Sequence, residues 1–172
     1  MLRSLYRRRG EVAGLAKIAP LLLVVAIAGG CSIGAPSTFS LSSASVDESF
    51  VCPTSATDLA YTIHAMLGVH NGTSSNVTIR SVAVVMTLAS VKGGWLEHVG
   101  DKYDASGVTV SPASVSAGND ASLNVKIPST CTNGKVPSAG SSYAEYSVAF
   151  TVVTSAGTHA ILSQDKHRIV AA

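Results

Sequence analysis

The chain has 172 residues, 47% of them apolar, 13% charged and 5% aromatic, with a formal net charge of +2 and three cysteines. That length suits one domain with or without a processed leader, and it suffices to bury a core. A charged fraction about half the usual ~25%, beside ordinary to high apolar content, excludes a fully disordered chain and a coiled coil. The charge is also unevenly placed. Residues 1–30 carry five Lys or Arg (Arg3, Arg7, Arg8, Arg9 and Lys17) against Glu11 alone, a surplus of four. Residues 31–172 carry seven against nine Asp or Glu, a deficit of two. The acidic remainder offers no Lys/Arg-rich footprint for phosphates, which argues against nucleic acid as a partner.

In the basic leader, Arg7-Arg8-Arg9 precedes an apolar run over residues 18–28, interrupted only by Pro20. A run of about 11 residues fits the hydrophobic region of an export signal, whereas a membrane-crossing helix needs roughly 20. The run closes on Ala28-Gly29-Gly30-Cys31, small residues followed by a cysteine. This segment resembles the lipobox of bacterial lipoproteins, with Ala28 standing where leucine is usual. The resemblance implies a helical signal peptide over residues 1–30 and cleavage before Cys31. Lipid on Cys31 would then be the membrane contact, and the protein would sit at the outer face of a bacterial membrane. The alternative is an ordinary secretory signal that happens to end near a cysteine. Residues 31–38, small, polar and Gly/Pro-containing, then form a tether of roughly 15 Å by random-coil scaling.

From Phe39 onward there is no apolar stripe of helical period, and Val, Ile and Thr dominate the ordered-looking runs, which favours strands. A first strand is expected over residues 39–45. In the next, Leu59, Tyr61, Ile63, Ala65, Leu67 and Val69 form one face, with Thr62, His64, Met66 and His70 on the other. Residues 71–76 (NGTSSN) make a turn into a long strand over residues 77–89. Further strands are expected over residues 107–110, 121–127, 143–154 and 158–170. Ser155-Ala156-Gly157 is a hairpin signal between the last two, and the final run should break or bulge near Gln164-Asp165. Seven or eight strands with Gly, Pro, Ser and Asn turns predict an all-β, antiparallel sandwich over residues 39–172.

Two stretches, Tyr61 through Thr73 followed by Val77-Thr-Ile-Arg-Ser-Val, resemble the paired strands of bacterial Ig-like and fibronectin-III-like modules. Val115 through Val125, a glycine turn feeding an alternating strand, is similar, as is the tyrosine-started run after Gly140. The resemblance implies an Ig-like sandwich. Trp95 lies far beyond Cys52 and Cys131 is not on the tyrosine-bearing strand, so the antibody-type disulfide and tryptophan pattern is absent. In an exported chain the pair Cys52 and Cys131 predicts a disulfide, one tying loops or strand ends together; reactive or metal-binding thiols are the alternative.

Chemistry-bearing constellations are scarce. Serines are plentiful, yet no G-x-S-x-G elbow occurs, and no enzyme or cofactor is expected. His64-Ala65-Met66 places imidazole and thioether on one strand face, a copper-type ligand pair. It resembles the H-x-M element of periplasmic copper chaperones, and copper handling through His64 and Met66 is the alternative function. His70, six residues further on, lies roughly 20 Å away along an extended strand and cannot join them. Trp95, Glu97, Asp101 and Asp104 mark the longest irregular segment, residues 92–107, as a candidate binding loop; a solvated loop over a hydrophobic plug is the competing interpretation. Finally, Val82, Val84, Met86 and Leu88 occupy one strand face and Ala83 and Val85 the other. Since a sandwich strand covers only its inner face, one set is a candidate contact for an envelope protein, unless the chain covers it itself. The function these readings support is a lipid-anchored, non-enzymatic Ig-like module for binding, adhesion or envelope assembly.

Overall fold

The computed structural model describes residues 38–133 and 142–172; the expected signal peptide, Cys31 and all but the last residue of the tether lie outside them. Ten strands follow in chain order: β1 (Phe39–Val46), β2 (Ser49–Cys52), β3 (Leu59–Asn71), β4 (Val77–Lys92) and β5 (Lys102–Asp104), then β6 (Thr109–Ser111), β7 (Ser114–Val115), β8 (Asp120–Cys131), β9 (Tyr143–Thr154) and β10 (Gly157–Ala171). The long elements are those expected from alternation. Of the four short ones, β6 falls at the strand expected over residues 107–110, and β2, β5 and β7 are additions, since two to four residues carry too little period to be read.

The strands form two sheets, ordered β1-β3-β8-β6 and β2-β10-β9-β4-β5, with β7 paired to β4. This is the Ig-like arrangement: counting β1, β3, β4, β6, β8, β9 and β10 as the seven principal strands, the first, second, fifth and fourth form one layer and the seventh, sixth and third the other, with β2 and β5 added at its edges. One pairing departs from the antiparallel expectation, because β2 runs parallel to β10, from Ser49 opposite Arg168 to Cys52 opposite Ala171. The chain changes sheets within a single step. The Asp47 N–H donates to the His64 carbonyl in the first sheet, and the next residue, Glu48, accepts from the Arg168 N–H in the second.

The core follows from strict alternation on the two inner faces. Ile63, Leu67 and Val69 of β3 and Leu123, Val125 and Ile127 of β8 face Val84, Leu88, Val148, Phe150 and Val152 of the opposite layer, all fully buried. Packing of this density is what large-to-small changes would penalise most. The β9–β10 turn forms where the sequence places it, with Gly157 at φ +132°, a backbone shape side chains disfavour. The irregularity near Gln164-Asp165 is also present: pairing jumps between Leu162 and Lys166, and Ser163 folds inward with its hydroxyl donating to the Asp165 carbonyl at 2.6 Å.

Cys52 and Cys131 are disulfide-bonded, with Cα atoms 6.0 Å apart across 79 residues. As expected they join strand ends, here the end of β2 in one sheet to the end of β8 in the other. The far end of the sandwich is closed by Asn71. It is fully buried, its amide donates to the Ser75 and Val115 carbonyls at 2.9 Å each, and its Oδ1 accepts from the Thr73 N–H and hydroxyl at 3.1 and 2.7 Å. All of the side chain's principal hydrogen-bonding groups are engaged, as burial demands.

Candidate functional site

The edge strands at the disulfide end decide where the sandwich opens. β6 pairs only with residues Asn124 to Lys126 of β8, and β5 only with Val85 to Thr87 of β4. Beyond them the edges of the two sheets part, leaving a cleft of about 690 Å³. Pro128 sits on the exposed part of β8, where a missing N–H is harmless only if that side of the strand faces away from β3. The cleft floor is made by core side chains, Met86, Tyr146 and Ile169 beside the disulfide, with Tyr61 entering from β3. One wall is the end of β8 and the residues after it, Pro128, Thr130 and Asn133; the other is Trp95, Leu96 and Glu97 with Tyr103 and Asp104 of β5.

The Trp95 wall exists because glycine lets β4 end sharply. Gly93 has φ +79°, a backbone shape that side chains disfavour, and a Cβ there would crowd the Ser142 side chain just before β9. The loop then returns to the β4 edge: Gly100 donates to the Leu88 carbonyl at 2.8 Å and Leu88 to the Asp101 carbonyl at 2.9 Å.

Within the cleft the polar groups are ordered. Trp95 Nε1–H donates to the Tyr146 hydroxyl at 3.4 Å, and that hydroxyl donates to Glu97 Oε2 at 3.2 Å. Tyr146 is 4% exposed, and an interior phenol needs such partners. Burial pushes the Tyr146 phenol well above its ordinary range and the Glu97 charge adds to the effect, while the bond from Trp95 works the other way. It therefore stays a neutral donor. The Tyr103 phenol is also raised, by burial first and then by the charges of Glu97 and Asp101. Its ring meets Tyr146 edge-on at 6.1 Å. Tyr61, raised by burial, stacks on Phe50 at 3.9 Å between centroids and lies 3.3 Å from Nε2 of His167. His167 is buried, and its Nδ1 lies 2.8 Å from the Asp47 carbonyl, which fixes that nitrogen as the protonated one. Burial depresses its pKa in spite of that bond.

Of the four loop residues singled out in the sequence, Asp104 borders the cleft from β5 with its side chain on the outer sheet face, opposite Val85, while Trp95 and Glu97 come together on the cleft. Asp101 does not. Its carboxylate accepts from the His98 N–H at 2.8 Å and shapes the turn instead. Trp95 is both the plug and the recognition candidate, half-buried on the core with an edge on the cleft. The cleft's tyrosines were not legible as site residues: Tyr61 stood with the apolar face of its strand and Tyr146 was not singled out, the one available signal being that a core hydroxyl needs a partner.

His64 and Met66 lie on the solvent face of β3, Met66 50% exposed. His64 is held by Asp47, whose Oδ2 accepts from its N–H at 2.8 Å and meets its ring Nδ1 at 3.0 Å. His70 is paired separately with Asp120 at 2.8 Å. Among the described residues no group of three His, Cys, Asp or Glu side chains converges. In the 82–88 run, Val84, Met86 and Leu88 are buried in the core and Val82 is half-buried, so the outward face retains only exposed Ala83 and half-buried Val85. The set with the larger side chains is therefore the inner one.

No protein-family model matches this chain, and no curated protein does. Solved structures that it is similar to include an ASH/PapD-like domain of human CEP192 (15% identity, 95% of this chain and 96% of that one, TM-score 0.25). Another is AggA, the major subunit of aggregative adherence fimbriae type I from Escherichia coli (10%, 78% and 95%, TM-score 0.35). A third is the CooA pilin subunit from enterotoxigenic Escherichia coli (13%, 76% and 98%, TM-score 0.25). At these scores they assign neither activity nor ligand.

Proposed function

We propose that this chain is an exported, lipid-anchored, non-enzymatic Ig-like module whose working surface is the cleft between Trp95 and the end of β8. The observation that carries the reading is the cleft itself. Four aromatic side chains, Tyr61, Trp95, Tyr103 and Tyr146, line an opening between otherwise close-packed sheets. Aromatic rings held rigid at a concave opening are the usual anchors of recognition. The non-enzymatic character is supported by what surrounds them. Tyr146 is held neutral between Trp95 and Glu97, and no Ser, Thr or Cys of the cleft is hydrogen-bonded to a histidine, so neither a nucleophile nor its base is set up there among the described residues.

The anchor is supported by the Ala28-Gly29-Gly30-Cys31 segment and the basic, apolar stretch before it. Palmitate labelling of the wild type and of Cys31→Ser tests it, and equal labelling of both rejects the anchor. The cleft reading is tested by placing a photo-crosslinker at Leu96, which is 66% exposed at the mouth, or at Ala83 on the outer face of β4. A defined envelope adduct from Leu96 alone supports it. Adducts from Ala83 alone move the working surface to the outer sheet face.

A further inference from the structure

The two ends of the sandwich stand in different relations to the point where the chain enters it. β1 is rooted at the Asn71 end. Phe39 pairs with Asn71, is 3% exposed and packs on the His159 ring at 5.1 Å between centroids. The Thr38 carbonyl accepts from the Gly72 N–H at 3.0 Å. The chain therefore joins the folded domain at Thr38, beside the turn over residues 71–76. From Cys31 to Thr38 the backbone spans at most about 25 Å when fully stretched. β3 alone has 13 residues between the cleft and that turn, about 40 Å at ~3.3 Å each. The tether is shorter than the body it holds. The body cannot turn end over end and set its cleft end against the surface that carries Cys31.

Resting on the reading of Cys31 as a lipid anchor, we infer that the Asn71 end meets the headgroups of the anchoring bilayer, and that the cleft lies away from it and takes a ligand carried by something other than that bilayer. The chemistry of the two ends agrees. The turns gathered at the Asn71 end, residues 71–76, 116–119 and 155–157, contain only Asn, Gly, Ser, Thr and Ala. Such an end rests on headgroups without inserting, and anionic lipids neither attract nor repel it strongly. Large exposed apolar side chains stand instead at the cleft end, Leu96 at 66% and Val99 at 63%, with Leu59 and Tyr103. Side chains of that kind enter a bilayer or seat a partner. The short tether bars end-on entry into the anchoring bilayer and leaves the partner. A body lying flat on its second sheet would have to draw Lys166 and Arg168 away from Glu145, which holds them at 3.8 and 2.6 Å.

Trp95 is the only tryptophan of the chain and lies at the cleft end, so it serves as a distance probe. The full lipidated chain is reconstituted in vesicles of phosphatidylcholine and phosphatidylglycerol with dansyl on a fraction of the headgroups. It is compared with two variants in which Trp95→Phe is combined with Ser74→Trp or with Ala156→Trp, both exposed turn positions at the Asn71 end. Either variant alone suffices. Energy transfer falls steeply with distance, so the expected loss of donor emission is severalfold larger for the Ser74→Trp and Ala156→Trp donors than for wild type. Equal losses, a larger loss for wild type, or no loss from either Asn71-end donor overturns the inference. Capture of labelled lipid from the same vesicles by a photo-crosslinker at Leu96 also overturns it. Flotation keeps the anchor reading separate. If Cys31→Ser floats with the vesicles as wild type does, or if neither floats, the anchor falls and the inference with it. Flotation that depends on Cys31, together with equal transfer from both ends, overturns the inference alone.

Discussion

The two ends of the sandwich are built from the same strands and finished differently. At the Asn71 end, one buried amide gathers the turn over residues 71–76 and the β7 carbonyl into a closed network. At the Trp95 end, the edge strands are only three residues long and the sheets part over tyrosines. The difference shows how one scaffold separates stability from recognition. Satisfying every polar group at one end makes it inert, while the other end leaves rings and carboxylates accessible.

Breaking the comparison at its strongest point means removing the bridge that holds the open end. The double variant Cys52→Ser/Cys131→Ser should lose about 2 to 5 kcal/mol in urea unfolding, because the bridge closes a long loop in the unfolded chain. A loss confined to the noise of the measurement would mean that packing alone holds β2 to β8. At the closed end, Asn71→Ala should cost about 2 to 3 kcal/mol, leaving the Val115 carbonyl buried without its donor. Trp95 emission in that folded variant should stay as in wild type, and a shifted emission would show that the two ends are coupled.

Smaller effects sharpen the picture. Tyr146→Phe removes the hydroxyl between Trp95 and Glu97, for about 0.5 to 1.5 kcal/mol of stability. Its clearer readout is spectroscopic: Trp95 emission changes because the indole loses its acceptor. The smallest effect concerns pH. His167 is held neutral, with a pKa depressed below 6.5 by burial, so the unfolded chain binds its proton at higher pH than the folded one. Its contribution is complete above about pH 6.5 and is lost as pH falls through that value toward the folded pKa. Melting temperatures measured from pH 7.5 to 5 should decline less steeply for His167→Gln than for wild type; parallel curves would remove His167 as the cause.

Much of this fold was legible because alternation is a local property. Leu59 to Val69 sorted into an inner and an outer face without any knowledge of a partner strand, and Gln164-Asp165 announced a break because two polar residues interrupt an otherwise alternating run. The parallel β2 was not legible, since Ser49–Cys52 is too short for a period and its partner lies more than a hundred residues away. The site divided along the same line. Trp95 and Glu97 stood out because they sit in one loop, whereas Tyr61 and Tyr146 reach the cleft from two separate strands, β3 and β9.

The sequence by itself determined the strand pattern, the pairing partners available to Cys52 and Cys131, and the concentration of positive charge in residues 1–30, all of which follow from composition and spacing. Tertiary structure alone decided which of the two apolar faces of residues 82–88 is covered, that Asp101 shapes a turn while its neighbours line a cleft, and that aromatic rings and carboxylates meet where the sheets part. Alternation assigns side chains to faces; only the packing of one layer on the other decides which face is inside and where the layers fail to meet.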